Sequence, residues 1–367
     1  MALSGALFGW ILLSIAGLLV IVLFVLALLP RRSRGRTSGP ALFRAKENPI
    51  LPPLAGEPWE NAAVFNPGAI LADGTVHLFY RALGGDGISR IGYARSADGI
   101  HFERFPEPAF VMRAPASPRF KNPFADGALH YNPDLYASGG GWGGSEDPRA
   151  VLIDGIVYLT FGVFESWESM RVALTSLPLT DVEKREWKWA EHFFISPPGE
   201  TNKNWVMFPE KIHGKFAILH ALTPRVMVDY VDSPEEWRER PIQSDNHRTG
   251  RKGHWDAFIR GAAAPPLKTK YGWLLLYHAM DPAQGPGYKV GAMLLDLDDP
   301  TKVLHRSEAP VLEPMEWYEN DWKPGVVYAS GAVVKDGTLF VYYGGGDKTV
   351  NVATAPLEPF LRKLLLS

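Results

Sequence analysis

The stretch Asp73–Arg81, with the sequence DGTVHLFYR, decides the fold class. A turn that ends in glycine leads into a short apolar strand, and the strand ends on a polar or aromatic residue. Four further copies of this phrase follow at long spacing: Asp154–Phe161 (DGIVYLTF), His213–His220 (HGKFAILH), Tyr271–His278 (YGWLLLYH) and Asp336–Tyr343 (DGTLFVYY). Repetition at this spacing predicts a radially repeated all-β fold, in which each copy is the first strand of a blade.

Most copies are followed by a second run of β-branched and aromatic residues bounded by turn formers, which is typical of strands. These runs are Arg90–Ser96, Arg171–Ser176, Tyr288–Leu295 and Val350–Thr354, and a looser one is Arg225–Tyr230. The phrase Ser96–Phe102 predicts a turn into an outer strand, and Leu357–Leu365 predicts a short closing helix. A TIM barrel would need eight alternating helical periods, which are missing, and a β-sandwich would not give a long-period repeat.

Composition excludes several classes of function. The chain has 367 residues, of which 46% are hydrophobic and 12% aromatic, so a large core can form. A net charge of −2, without a basic stripe in the folded part, gives no reason to expect a nucleic-acid partner. The absence of cysteine excludes disulfides, thiol catalysis and thiolate metal sites. No ligand cluster suggests a metal or an organic cofactor.

The amino terminus differs from the rest of the chain. Ala6–Leu29 carries no charge and is long enough to cross a hydrocarbon layer of about 30 Å as a helix. We therefore expect a single transmembrane helix within residues 1–30, a basic linker at 31–47, and one catalytic propeller domain at 48–367. Basic residues lie only after the apolar stretch, which predicts an external amino terminus and a membrane-anchored domain on the cytoplasmic side.

Three groups of residues offer chemistry. Strand ends carry Arg81, His220 and His278, and Asp347 lies just past a fourth strand. One such residue alone would be an ordinary solvent-facing strand end, but four at equivalent positions of a propeller should face one axial pocket.

The second group is Gly143–Arg149 (GGSEDPR), expected as a loop before the second blade. The Asp-Pro pair is a good turn former, yet two adjacent carboxylates followed by an arginine also suit a general acid. The third group is Asn202–Lys211, a further loop with cations and one carboxylate.

Several motifs in order resemble glycoside hydrolase family 130, which contains β-mannoside phosphorylases and β-1,2-mannosidases. They are Asn66–Gly68, Tyr80–Ala82, Gly87–Arg90, Glu146–Arg149, Phe208–Lys211, Gly272–His278 and Leu294–Pro300. The resemblance runs from about Asn48 to the carboxyl terminus. It implies a five-bladed β-propeller, in agreement with the five copies of the repeat.

The resemblance also implies roles for individual residues. Asp147 matches the proton-donating aspartate, whose proton passes through the 3-hydroxyl of the sugar to the glycosidic oxygen. The positions that match those holding the mannosyl unit are Asn66, Arg81, His220 and Asp347. The positions that resemble the phosphate-binding ones are Arg149, Arg171, Lys203, His278 and Tyr288. One departure concerns His220, because the phosphorylases usually place an arginine directly after this histidine and Ala221 stands there instead.

The expected activity is inverting phosphorolysis of terminal β-1,2- or β-1,4-mannosidic bonds. The partners are then a β-mannoside oligosaccharide and inorganic phosphate as co-substrate, and the product is α-mannose 1-phosphate. An inverting hydrolase would need a second carboxylate to activate water, about 6.5–9.5 Å from the first, and Glu146 or Glu210 would have to serve. A third alternative is a catalytically inert glycan-binding propeller at the membrane. The sequence does not fix the oligomeric state, and a homo-oligomer is compatible with it.

Overall fold

The computed structural model describes residues 39–112, 143–164, 169–285 and 287–367. In this part of the chain, twenty strands form five antiparallel sheets that are the five blades of an all-β propeller. The predicted fold class is therefore confirmed for the propeller.

Strands are numbered along the chain, and β1 (Phe43–Arg44) belongs to the last blade. Blade 1 contains β2 (Ala63–Ala72), β3 (Thr75–Leu83), β4 (Ser89–Ser96) and β5 (Glu103–Arg104). Blade 2 contains β6 (Ser145–Ile153), β7 (Ile156–Phe164), β8 (Met170–Pro178) and β9 (Phe193–Phe194). Blade 3 contains β10 (Val206–Met207), β11 (Phe216–Ala221) and β12 (Met227–Val231).

Blade 4 contains β13 (Phe258–Ala262), β14 (Leu267–Thr269), β15 (Gly272–Met280), β16 (Lys289–Leu295) and β17 (Val303–Arg306). Blade 5 contains β18 (Val327–Lys335), β19 (Thr338–Gly345) and β20 (Thr349–Pro356), with β1 as its outer strand. The α-helices are α1 (Leu179–Lys184), α2 (Glu236–Glu239) and α3 (Leu357–Leu365), and short 3₁₀ turns cover Pro282–Gln284 and Trp317–Glu319. Helix α3 confirms the predicted closing helix residue for residue.

The repeated phrase forms a strand in all five copies, but it is the second strand of each blade and not the first. An inner strand precedes it in every blade, although the sequence predicts loops for two of these inner segments, around Gly143–Arg149 and Asn202–Lys211. These inner segments resemble loops in sequence because they contain Asn, Asp, Pro and Gly. In the structure, these residues lie at bulges, where the pairing of the inner strand with its neighbour shifts.

Alternate side chains of the second strands pack against different neighbouring blades. On β15, Leu274 and Leu276 join the apolar cluster shared with blade 5, whereas Leu275 and Tyr277 join the cluster shared with blade 3. Because successive side chains of a strand point to opposite faces, a strand covered on both faces needs a continuous apolar run. Equivalent clusters fill the other blade interfaces, so the described core closes into a ring.

The amino-terminal strand closes this ring. Phe43 pairs with Thr354 and Arg44 with Ala353, and the Arg44 guanidinium lies 2.7 Å from the buried Glu319 carboxylate. The compact unit starts at Gly39. The predicted linker at 31–47 is thus too long at its carboxyl end, because residues that look irregular in sequence are paired with the last blade.

The predicted transmembrane helix lies outside the described residues. Within the described residues, no helix is both long enough and apolar enough to span a bilayer.

In blade 1, a buried carboxylate connects the second strand, β3, with the outer strand, β5. The Tyr80 hydroxyl donates to Glu60 Oε2 at 2.9 Å, and Arg104 on the outer strand donates to Glu60 Oε1 at 3.0 Å. Satisfying a buried carboxylate in this way avoids the cost of an unpaired charge. Blade 4 repeats the arrangement with Tyr277, Asp256 and Arg306.

Candidate active site

Two inner-strand bulges place polar side chains together at the centre of the propeller. The pairing of β2 shifts between Phe65 and Gly68, and that of β6 shifts between Glu146 and Arg149. Inside these bulges Asn66 and Asp147 adopt left-handed backbone conformations, with φ of +47° and +48°. Asn and Asp tolerate this region better than other residues with side chains.

Close packing of the inner strands holds the two bulges side by side. A Cβ atom added to Gly68 would lie 2.8 Å from the Pro148 carbonyl oxygen and 2.9 Å from the Ala150 nitrogen. Only glycine allows the backbones of β2 and β6 to come this close. The position of Asp147 therefore depends on a glycine in the neighbouring blade.

Asp147 is held by an amide and a guanidinium. Its Oδ1 atom accepts a hydrogen bond from Asn66 Nδ2 at 2.8 Å and another from Arg81 Nη1 at 3.2 Å. Arg81 is buried, also contacts Glu146 at 3.3 Å and donates from Nε to the Ser89 hydroxyl at 3.0 Å. The carboxylate of Asp147 thus has a fixed orientation.

The charge state of Asp147 follows from its surroundings. Burial alone would raise the pKa of this carboxyl, but the positive charges of Arg81 and Arg149 and the hydrogen bond from Asn66 together hold the pKa below its usual value. Without substrate the carboxyl is therefore ionised at neutral pH. A proton donor at this position needs a second anion that offsets the cations.

Arg149 belongs to a buried network behind Asp147. It donates to the Ala263 carbonyl at 3.1 Å, to the Asp147 carbonyl at 2.5 Å and to Asn204 Oδ1 at 3.1 Å. The Tyr328 hydroxyl joins the network through Arg149 and Asn204. These bonds fix a positive charge next to the acidic group.

His278 is fully buried and stacks on Tyr328, with ring centroids 4.1 Å apart. Neither ring nitrogen makes a hydrogen bond of normal geometry with a described residue, although the Ala329 carbonyl is near enough to favour the protonated ring. Burial, followed by the charge of Arg149, lowers the pKa of His278 well below its usual value. Because buried polar atoms normally have a partner, the ring nitrogen that does not face the Ala329 carbonyl is left without one among the described residues.

Lys203 and Tyr288 extend the positively charged side of the site. Burial and the nearby Arg260 lower the pKa of Lys203 to about 7, against the opposing effect of Asp147 and Glu146. The Tyr288 ring lies 6.1 Å from the Tyr328 ring and 5.3 Å from the Arg260 guanidinium. This side of the site is therefore rich in donors and cations.

Asp347 lies just past strand β19, with a φ of +52°. Its Oδ2 atom accepts a 2.9 Å hydrogen bond from Lys323, and its charge acts on Arg81. The carboxylate is thus linked to the same group of side chains.

The comparisons with known proteins give the family. Residues 135–364 match the model of glycoside hydrolase family 130, described as beta-1,4-mannooligosaccharide phosphorylase. The chain belongs to glycoside hydrolase family 130.

Relatives of known activity cover nearly the whole propeller. A 1,2-beta-oligomannan phosphorylase of Thermoanaerobacter sp. (strain X514) is 37% identical over 86% of this chain and 98% of its own length. A beta-1,2-mannobiose phosphorylase of the same strain is 33% identical over the same shares. The solved beta-1,2-mannobiose phosphorylase of Listeria innocua, in complex with beta-1,2-mannobiose, superposes with a TM-score of 0.66 at 24% identity, covering 89% of this chain and 99% of that one, and supports the fold.

Most residues predicted from the family 130 resemblance lie in one connected group. Direct contacts or electrostatic effects join the following: Asn66, Arg81, Asp147, Arg149, Lys203, His278, Tyr288 and Asp347. Their individual roles in binding and catalysis stay predictions.

Two predicted residues have described contacts elsewhere. The His220 ring lies 3.1 Å from the Ser244 hydroxyl and packs edge-on against Trp205, and burial lowers its pKa to about 4. Arg171 donates to the Ser196 carbonyl and stacks on Phe194. No described contact joins either residue to Asp147, and their roles in family 130 chemistry stay predictions.

Several members of the group are not predicted as site residues from the sequence. Asn204 belongs to the third group, Asn202–Lys211, but no role is expected for it there, and Tyr328, Arg260 and Lys323 are single residues without a local pattern. Arg260 and Tyr328 reach the family 130 site on inner strands, and Asn204 and Lys323 reach it in the segments that lead into inner strands. In the described part of the chain, no set of three or more His, Asp or Glu side chains is arranged to hold a metal ion.

Proposed function

We propose that this protein cleaves terminal β-mannosidic bonds by inverting phosphorolysis, with β-1,2-linked oligomannosides as its first candidate substrates. The observation that carries the proposal is the fixed Asp147 carboxylate beside a buried group of cations. We infer the β-1,2 linkage from the relatives. Two phosphorylases named for β-1,2 bonds are 37% and 33% identical to this chain, whereas one named for β-1,4 bonds is 26% identical.

Asp147 acts as the general acid in this proposal. Its proton would reach the leaving oxygen through the sugar 3-hydroxyl, as the family resemblance implies. The free site favours the ionised carboxyl. Bound phosphate would bring negative charge next to Arg149 and Lys203, which raises the pKa of Asp147 again. Acid catalysis would thus be switched on by the co-substrate.

The sugar side of the site offers an unsatisfied acceptor. Asn66 Oδ1 is buried and has no hydrogen-bond partner in the described structure, while its amide nitrogen is used by Asp147. A sugar hydroxyl can supply the missing donor. Arg81 and Asp347 lie in the same group and would hold further hydroxyls.

Phosphate is better supported than water as the nucleophile. A phosphate ion needs cationic and polar donors, which Arg149, Lys203 and His278 provide, and it needs no catalytic base. Neither carboxylate considered for a hydrolase is well suited to the task. Glu146 is fully buried against Arg81, and Glu210 is half-exposed and paired with Lys268 at 2.5 Å.

A direct assay tests the proposal. The full chain is incubated with β-1,2- or β-1,4-mannobiose, with and without inorganic phosphate, and mannose and mannose 1-phosphate are quantified. We expect phosphate-dependent cleavage with a preference for the β-1,2 linkage. Equal release of free mannose with and without phosphate would identify a β-mannosidase instead.

We also propose that residues 6–29 anchor the enzyme in a membrane with the propeller on the cytoplasmic side. Support comes from the uncharged stretch and the arginines that follow it. Intracellular phosphate would be available there, and the charged product would stay in the cell. Protease added to intact cells should leave the propeller uncut, and its digestion would overturn this orientation. Assembly as a homo-oligomer stays a prediction.

A further inference from the structure

Exposed apolar side chains concentrate on one outer edge of the propeller. In the described part of the chain, nine large hydrophobic side chains are exposed, and six of them lie on or beside the outer strands of blades 4 and 5. These six are Phe43, Val303, Leu304, Met315, Trp317 and Leu366. A single exposed apolar residue is ordinary on a protein surface, but a group of them marks a surface that something else covers.

Three of these side chains stand out and are held by well-bonded backbone. Phe43, Met315 and Trp317 are 64%, 72% and 65% exposed. Met315 donates its backbone N–H to Glu319 Oε2 at 2.7 Å, and the same buried carboxylate lies 2.7 Å from Arg44, which follows Phe43. The backbone that carries the three side chains is therefore fixed from inside the protein, and their exposure is a stable feature of this edge.

The chain enters the propeller at the same edge. Leu42 donates its N–H to the Val311 carbonyl at 2.9 Å and packs in one apolar cluster with Tyr318, which directly follows Trp317. The described propeller begins three residues before Leu42, at Gly39. The amino-terminal part of the chain is therefore joined to the propeller beside the exposed apolar side chains.

The connection to the uncharged stretch at residues 6–29 is short. Nine residues, 30–38, lie between this stretch and Gly39. Nine residues span at most about 30 Å, even when they are fully extended. A membrane anchor at residues 6–29 would thus hold this edge close to the bilayer, and a short tether raises the effective concentration of the lipid surface. The tether favours lipid over a second copy of the chain, because it acts at any protein concentration.

The chemistry of this edge suits the interface of a bilayer. Tryptophan is enriched at this level of membranes, because its ring is apolar while its N–H can meet water. Exposed basic side chains on the same edge are paired with acidic ones, Lys302 with Asp299 and Arg362 with Glu358. Since the charges balance, insertion of apolar side chains should dominate over attraction to anionic lipids.

We propose that the outer edge formed by Phe43, Met315 and Trp317 docks on the lipid surface of the membrane, with these side chains at the level of the head groups. The inference rests on the proposed membrane anchor and adds the surface with which the propeller meets the bilayer. The Asp147 site lies at the centre of the ring and not on its outer edge, so docking would leave it open to soluble oligosaccharides.

Single fluorescent labels on the full chain test this inference, because the chain has no cysteine of its own. Trp317→Cys and Phe43→Cys each place one label on the edge. Lys188→Cys, at an exposed residue of blade 2, is the matched control, since blade 2 is not adjacent to blades 4 and 5. Each labelled variant is reconstituted into phosphatidylcholine vesicles with and without a nitroxide-bearing lipid. Thermal unfolding checks the fold, and flotation of the vesicles checks the anchor.

We expect the nitroxide lipid to quench the two edge labels at least about threefold more than the Lys188→Cys label, because docked side chains lie about 5–10 Å deep at the head-group boundary. The difference should persist when the protein is diluted into more lipid. Met315→Glu, added to Trp317→Cys, should lower the quenching towards that of the control. Val111→Glu, at an exposed apolar residue outside this edge, should leave it unchanged.

Equal quenching of all three labels in floating vesicles would overturn the docking and leave the anchor intact. Shielding of the edge labels from both the nitroxide lipid and aqueous iodide would also overturn it. Protein would then cover the edge: a second copy of the chain if dilution removes the shielding, or residues 6–29 if the shielding persists. Failure of the anchor gives a different result, because the wild type would then not float with the vesicles, and docking would fail with it.

Discussion

The side-chain amide of Asn66 donates a 2.8 Å hydrogen bond to Asp147 Oδ1 across the interface between the first two blades. Both residues have nearly the same left-handed φ, +47° and +48°, because each occupies the bulge of an inner strand. The acidic side chain of Asp147 and its partner Asn66 are therefore positioned by equivalent bulges in β6 and β2. The repetition of the bulge in neighbouring blades thus brings the two side chains into contact.

Replacing Asp147 by Asn should lower turnover by about 10²- to 10⁴-fold, the range typical of a lost general acid. The fold should persist, since asparagine tolerates the left-handed backbone. Initial rates of phosphate-dependent mannobiose cleavage measure the effect. Asp154→Asn, at an exposed turn residue with a φ of +51°, is the control and should keep full activity. Unchanged turnover in Asp147→Asn would refute the assignment of the acid.

Replacing Gly68 by Ala should destabilise the propeller by about 1–3 kcal/mol, because the new methyl group would overlap the backbone of Pro148. Turnover should fall as well, since Pro148 follows Asp147 directly. Urea unfolding and steady-state assays report the two effects. Gly56→Ala is the matched control, because a Cβ there would meet no atom within 4 Å. A Gly68 variant as stable and active as the Gly56 variant would contradict the close packing of the inner strands.

Replacing Tyr80 by Phe should cost about 1–3 kcal/mol of unfolding free energy, because Glu60 Oε2 loses its donor inside the core. Arg104 still pairs with the other carboxylate oxygen, so the blade should remain folded. Denaturant titration gives the change. Tyr230→Phe serves as the control, since the Tyr230 hydroxyl has no hydrogen bond to a described residue. Equal stability of the two variants would show that the buried carboxylate does not need the hydroxyl.

Anion binding should depend on the protonation of Lys203, whose pKa is lowered to about 7. The protonated amine attracts an anion, so affinity should fall as pH rises through this value. Asp147 and Glu146 raise the pKa of Lys203, whereas Arg260 and Lys323 lower it. Removal of the positive charge in Arg260→Met should therefore move the fall in affinity to higher pH.

Sulfate is the suitable probe for this pH dependence, because phosphate itself titrates near neutral pH. Its inhibition constant is measured between pH 6 and 9 for the wild type, Arg260→Met and Lys203→Met. The lysine variant should bind sulfate weakly and without the step near pH 7. A wild-type inhibition constant that is flat over this range would contradict the assigned role of Lys203.

The sequence correctly predicts the elements that consist of continuous or periodic apolar residues. The second strands and helix α3 are such parts, because each is specified by its own local pattern. The inner strands were missed, since Asn66-Pro67-Gly68 and Asp147-Pro148 look like turns and become strands only through pairing with the neighbouring strand. Arg260 and Lys323 could not be found from sequence, because a single cation has no pattern until the fold supplies its neighbours.

Phosphorus NMR of one reaction mixture tests the central claim most directly. The full chain, β-1,2-mannobiose and inorganic phosphate are combined, and the phosphorus signals are followed while free mannose is assayed. We expect α-mannose 1-phosphate and mannose to form in equal amounts as inorganic phosphate is consumed. Cleavage of mannobiose to two molecules of free mannose, with the phosphate signal unchanged, would contradict it.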